Sequence, residues 1–331
     1  MKKILLIQTG GTIAMDISGG QPTLNSDKWA ELIHREIPEL SEIADIEMEQ
    51  LSFRDSSDIN KKHWAKLAAF IEKKYEHYDG FVILHGTDTM AYTASALSFA
   101  IQNLGKPIIF TGSQVPMSSL RSDARRNLVN SIEMATMPLP EVAICFNDFV
   151  YRGNRSTKMS IGDFDAFASP NYPPLAEIGL NIEMKNHVRR SSQKLKVIPQ
   201  FSDQTFLLKI YPNLDPNFLD QIDFKNTRAL IVEAFGSGNF PIHEEQSILP
   251  FFKKLTEQGI LLIITSQAAY DSVNLSNYES GQKALQIGAL SAGDMTTEAT
   301  LTKIMYLLAQ YPDNQDVIKQ FNRNLAGEMT E

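Results

Sequence analysis

The sequence predicts an α/β protein of two domains. The larger, N-terminal domain is expected to hold a parallel-rich sheet with helices on both faces, and a smaller C-terminal α/β domain is expected to follow. Three observations carry this. Short apolar runs with no polar alternation recur along the chain, as in parallel strands covered on both faces. Helical patterns separate them, the order of an α/β fold. And 331 residues are too many for one ordinary core.

The elements follow in order. Ile4–Ile7 is a first strand. It mimics a signal peptide for a moment, but the apolar run stops at Gln8-Thr9-Gly10-Gly11, too short for a secretory core. Further strands are expected at Gly80–Leu84, Ile108–Thr111, Val142–Phe146, Ala229–Ala234 and Ile260–Thr265. Lys61–Tyr78 places Trp64, Leu67, Ala68 and Ile71 at helical spacing, and Thr89–Leu104 does the same with Ala91, Ala94, Leu97 and Ile101. Gly105-Lys106-Pro107 is read as that second helix's end. The polar, basic stretch His187–Lys194 reads as a linker or exposed hairpin. The expected division is 1–190 for the N-terminal domain, 191–211 for the linker and 212–331 for the C-terminal domain.

Composition excludes several functions. The net charge is −8, with no long basic block, which speaks against nucleic acid as a partner. No apolar stretch approaches the ~20 residues of a membrane span. The single cysteine, Cys145 in the apolar run Val142–Phe146, reads as a buried strand residue and fits a reducing, cytoplasmic location. The six histidines show no metal-binding spacing, so no metal is expected.

Three polar clusters stand where ligands bind in doubly wound sheets, beyond the carboxyl ends of strands. The first is Thr9-Gly10-Gly11-Thr12-Ile13. A nucleotide-binding turn is its competing reading, but neither G-x-G-x-x-G nor G-x-x-x-x-G-K-[ST] is present. The second is His85-Gly86-Thr87-Asp88-Thr89. Asp88 reads either as a helix cap or as a carboxylate orienting a neighbouring hydroxyl. The third is Tyr151–Lys158, expected to follow a strand ending near Asn147. A lysine there would shift a hydroxyl of the second cluster toward its nucleophilic form. A fourth segment, Arg54-Asp55-Ser56-Ser57-Asp58, read alone, is a helix N-cap ahead of Lys61.

With these residues in view, the chain resembles the bacterial-type asparaginase/glutaminase family, in its cytosolic, type I L-asparaginase branch. Thr9-Gly10-Gly11-Thr12-Ile13-Ala14 is similar to the family's first signature and Gly80–Met90 to its second. Asp55–Asp58, Thr111–Gln114, Tyr151–Arg155, Asp165–Asn171 and Asp294–Ala299 look like further segments of that branch. The resemblance implies hydrolysis of L-asparagine to L-aspartate and ammonia, with Thr12 as nucleophile forming a covalent β-aspartyl ester. It implies Thr87, Asp88 and Lys158 as a second catalytic group. It implies Asp55, Ser56 and Ser57, with Thr87 and Asp88, as substrate-binding residues. It also implies a homodimer or homotetramer, with neither metal nor organic cofactor.

One departure stands out. Where the resemblance implies a lid-loop tyrosine near the nucleophile, Met15–Leu24 contains none. Thr23, a water or a tyrosine from elsewhere are the candidate substitutes. Two other expectations stay open at this point. Mixed asparaginase/glutaminase specificity is one, since a methylene is worth only ~1–3 kcal/mol of discrimination. A non-catalytic amino-acid sensor on the same fold is the other. The amidase component of a tRNA-dependent amidotransferase would call for an added tRNA-facing domain and a basic surface.

Overall fold

The computed structural model describes residues 1–16, 23–24 and 29–331, with the side chains at 14–30, 32 and 34 outside that description. The chain forms two compact units, Met1–Pro199 and Gln200–Glu331.

The N-terminal unit is built on eight strands: β1 (Lys3–Gly10), β2 (Asp45–Arg54), β3 (Gly80–Leu84), β4 (Ile108–Thr111), β5 (Val142–Phe146), β6 (Phe149–Arg152), β7 (Ala176–Ile178) and β8 (Ile182–Met184). Their order is β8-β7-β6-β5-β4-β3-β1-β2. The five from β2 to β5 run parallel, and β6, β7 and β8 are antiparallel additions. Because β1 lies between β2 and β3, the chain reverses its direction of winding there. This is the doubly wound order 2-1-3-4-5, whose switch point is the gap between β1 and β3.

Burial follows from the apolar runs. β1, β3, β4 and β5 are almost wholly buried. Ile4, Leu6, Val82, Ile109 and Ala143 pack on one face with α3 (Ala124–Thr136). Helices α1 (Lys61–Lys74) and α2 (Met90–Ala100) pack against one another, and α2 lies against β5. Helix α1 buries Trp64, Leu67, Ala68 and Ile71, the stripe its periodicity predicts. Asn60 caps it by accepting from the Lys62 N–H, while the His63 ring accepts from the Asn60 N–H. The cap therefore comes from Asn60, not from the Asp55 segment. Cys145 is fully buried in β5, where burial pushes its thiol up to about 12.

The structure departs from the sequence reading in four places. Helix α2 ends at Ala100, short of Leu104, and Ile101–Gln102 then pairs as a strand with Lys196–Val197. All but one of the helix's residues are buried, so its apolar pattern carries no end signal; Asn103, at φ 59, makes the turn. Strand β2 went unforeseen because its Asp45, Glu47 and Glu49 alternate with apolar residues, as suits an edge strand. The third polar cluster does not directly follow the parallel strand β5. Strand β6 first returns to the amino edge, where Arg152 meets Glu141, and the chain then runs back along α2. Finally, 191–211 contains structure, since Lys196–Val197 is paired and Thr205–Lys209 belongs to the second sheet. Its polar composition reflects exposure at 189–194.

The C-terminal unit holds a parallel sheet of β9 (Thr205–Lys209), β10 (Ala229–Ala234), β11 (Leu261–Ser266) and β12 (Leu290–Ser291). Its longer helices are α4 (Leu249–Glu257), α5 (Glu279–Gln286), α6 (Thr297–Gln310) and α7 (Asn314–Phe321). Lys303 and Glu328 form a wholly buried ion pair at 2.6 Å.

Candidate active site

Three loops meet at the switch point. Gly10, which ends β1, and Gly11 after it have φ of 132° and 95°, the left-handed region open to glycine. They also leave no room for a side chain. A Cβ on Gly10 would lie 1.9 Å from the Arg54 carbonyl oxygen, and one on Gly11 would lie 2.6 Å from the Gly86 nitrogen. A Cβ on Gly86 would lie 2.6 Å from Ser56 Oγ. The end of β1 thus touches the end of β2, the loops after β1 and β3 meet backbone to backbone, and the Ser56 side chain packs on Gly86; Thr12, Ser56 and Thr87 stand at or beside these contacts.

The two threonines of the first cluster differ in role. Thr9 is buried, and its hydroxyl donates to the Leu84 carbonyl at 2.7 Å, tying β1 to β3. Thr12 is half-buried and opens the short helical turn Thr12–Ala14. The loop that follows is described only at the backbone pairing of Met15–Asp16 with Thr23–Leu24. The Thr23 side chain and the remainder of the expected lid lie outside the described residues.

After β3, Thr87 is 7% exposed. Its oxygen accepts from Lys158 Nζ at 2.7 Å, and its hydroxyl donates to Gln114 Oε1 at 3.3 Å. Lys158 Nζ also lies 2.6 Å from Asp88 Oδ1. The Asp88 side chain is 65% exposed, so its carboxylate neutralises the ammonium and stays open to solvent. It does not cap α2: Thr89 stands at that cap, and its hydroxyl donates to the Ser56 carbonyl. Lys158 reaches this point from a short ribbon in which Lys158 pairs with Phe167, and Phe167 packs on Phe146 at the end of β5. Of the third cluster's cations, Arg152 forms a buried pair with Glu141, and Arg155 is buried over Tyr172.

Asp55, Ser56 and Ser57 occupy the turn after β2. Asp55 is exposed and accepts from both the N–H and the hydroxyl of Ser57, each at 2.8 Å. These bonds, the backbone one first, hold its carboxyl below the usual range. Ser56 is buried beside Gly86, while Ser57 is exposed. Gln114 is a contact to which sequence reasoning gave no role. Its N–H and that of Val115 donate to Asp123, which also accepts from Asn127. Its signal was present in Thr111-Gly112-Ser113-Gln114, a glycine-bearing segment directly after a parallel strand.

Fold and site together define a doubly wound α/β protein carrying a hydroxyl–lysine–carboxylate group, with a second hydroxyl, at its switch point. Residues 3–190 match the family described as Asparaginase, N-terminal, and residues 204–321 match the Glutaminase/Asparaginase C-terminal domain. The chain belongs to the asparaginase family. It is 40% identical to L-asparaginase 1 of Escherichia coli K12, over 99% of this chain and 98% of that protein. It is 34% identical to the L-asparaginase of Thermococcus kodakarensis, over 99% of each chain. The structure of L-asparaginase I from Vibrio cholerae superposes with a TM-score of 0.90 at 38% identity, covering 100% of this chain and 99% of that one.

Proposed function

We propose that this protein is an L-asparagine amidohydrolase, releasing L-aspartate and ammonia through a β-aspartyl ester on Thr12. The observation that supports it most is Lys158, whose ammonium lies within hydrogen-bonding distance of both Thr87 and Asp88 beside the loop that carries Thr12. The Thr12 oxygen attacks the side-chain carboxamide carbon, the negative charge moves to the carbonyl oxygen, and the Thr12 proton passes by way of the Thr87 hydroxyl toward the amide nitrogen. The tetrahedral adduct then collapses, the C–N bond breaks, and nitrogen leaves as ammonia after taking up a proton. Water next attacks the ester carbon, and the Thr12 oxygen leaves with a proton. Splitting the reaction in two replaces one hard step with two easier ones.

Lys158 and Thr87 supply the proton route, Lys158 lowering the cost of charge on the Thr87 oxygen. The exposed side of Asp88 accepts from the substrate's α-ammonium. Ser56 and backbone N–H groups of its turn donate to its α-carboxylate, Ser57 joins them by turning its hydroxyl away from Asp55, and Asp55 lies near enough in the chain to assist with the ammonium. The protein works in the cytoplasm as a homodimer or homotetramer. Membrane insertion is no part of this reading, and no described helix is long and apolar enough to cross a bilayer.

Ammonia release from asparagine by purified protein tests the reading, with glutamine in parallel to measure how far the pocket tolerates one more methylene. Release from neither amide would overturn it in favour of a sensor.

A further inference from the structure

His85 is 1% exposed, and the chemistry above leaves it idle. Its Nδ1 lies 2.7 Å from the Gly86 carbonyl oxygen, and its Nε2 lies 2.9 Å from Thr93 Oγ1. Thr93 in turn accepts from the Trp64 indole N–H at 3.1 Å. The protons can be assigned from the partners. A carbonyl only accepts, so Nδ1 carries the hydrogen. Burial pulls the imidazole down to about 4, so the ring is neutral and Nε2 is bare. Thr93, already accepting from Trp64, donates to it. Every donor in the chain points the same way, from Trp64 through Thr93 and His85 to the Gly86 oxygen, and such chains polarise one another.

That oxygen belongs to the peptide whose N–H is Thr87's. In a trans peptide the N–H points opposite to the C=O, so the Thr87 N–H faces away from the buried ring. Thr87 opens a helical turn and has no acceptor within it. No described backbone carbonyl accepts this N–H from outside the turn either. A small cavity lined by Trp64, Leu67, His85 and Thr93 borders the ring and Phe110 meets it edge-on; the two hydrogen bonds set which nitrogen faces which partner.

We propose that His85, held by Thr93 and Trp64, is a positioning residue that aims and polarises the Thr87 N–H as a donor to the oxyanion formed on the substrate carboxamide. This rests on the asparaginase reading. The charge appears only in the transition state, so the loss belongs in kcat and not in KM. In His85→Leu the N–H persists but is no longer held. Its kcat falls about 10- to 100-fold, less than the roughly 100- to 1,000-fold for deleting such a donor. His85→Asn regains most of that loss, because its amide nitrogen can replace Nδ1 at the Gly86 oxygen. Thr93→Val lowers kcat at constant KM, and Thr93→Ser restores it.

Wild-type ammonia release is measured first. If there is none, the asparaginase reading fails. If the wild type is active but a folded His85→Leu keeps its kcat, or shifts KM instead, the reading stands and this inference is overturned. Equal losses in His85→Leu and His85→Asn also overturn it. Should His85→Leu not fold, the comparison of His85→Asn with Thr93→Val decides, and Thr93→Val with unchanged kcat overturns it.

Discussion

Lys303→Met will test how the C-terminal unit is held together. The Lys303 ammonium is wholly buried and donates to Glu328 at 2.6 Å and to the carbonyls of Phe321 and Arg323, each at 2.7 Å. Glu328, equally buried, also accepts from the N–H groups of Leu325 and Ala326. Methionine keeps the length of the stem and donates nothing. The substitution strands a buried carboxylate, for which the cost of breaking such a pair is about 3–5 kcal/mol. Two orphaned carbonyls place it at the upper end of that range. Adding Glu328→Gln removes the stranded charge while keeping an acceptor for Leu325 and Ala326, so the double variant should recover at least half of the loss. Urea unfolding measures this, with far-UV circular dichroism as the signal. Both tryptophans, Trp29 and Trp64, lie in the N-terminal unit, so fluorescence reports the other half of the chain. A Lys303→Met loss below about 1 kcal/mol, or a double variant no better than the single, would refute the assigned role.

Five further outcomes are expected. Thr12→Ala should abolish ammonia release and leave the thermal transition unmoved, since a half-buried loop hydroxyl is lost and no core group; near-normal turnover would transfer the nucleophile assignment to Thr87. Lys158→Met should lower kcat by at least ~100-fold, and Asp88→Asn should weaken binding of aspartate in a calorimetric titration, an unchanged affinity removing Asp88 from the ammonium site. Glu141→Gln leaves the buried Arg152 unbalanced and should cost about 3 kcal/mol or more in urea. Between the ordinary imidazole value of 6.5 and about 4, the unfolded chain binds a proton at His85 and the native one does not. Stability therefore falls as pH drops through that window, by about 3 kcal/mol, and His85→Asn should lack this component; parallel curves for the two proteins would defeat it.

What could be read in the sequence was whatever is encoded locally. The six buried parallel strands announced themselves because burial on both faces forces continuous apolar runs, and Gly10-Gly11 and Gly86 marked the close approach of two loops. Helix α1 was legible for a different reason: one stripe is buried and the rest is solvated. Strand β2 was not, because an edge strand carries charge. Helix α2 could be seen but not bounded, since a helix buried all round has no polar face to mark its end. The role of Thr9 was invisible too, because its hydroxyl is taken by a residue far along the chain. Nothing near His85 in sequence names Thr93 or Trp64 as its partners, since those contacts arise only when α1 and α2 pack together.

Lys158 is the sharpest case of this limit, and its route explains why the site holds two kinds of part. The hydroxyl-bearing loops follow parallel strands directly, and their backbones touch through Gly11 and Gly86, so their separation is set by the sheet itself. The cation cannot come that way, since the carboxyl end of β5 turns at Asn147, φ 50, into the return strand β6. The chain is instead pinned at the far edge by the buried Arg152–Glu141 pair. It passes Gly153 tightly between Ala94 and Val142, then comes forward to the ribbon at Phe167. A flexible lysine stem absorbs small errors accumulated along that path, and the two hydrogen bonds at Thr87 and Asp88 correct the remainder. A short side chain in its place would demand backbone placement as tight as that of the glycine loops. The division follows from topology: short groups stand on the strands that fix them, and the long one arrives from the strand that had to go round.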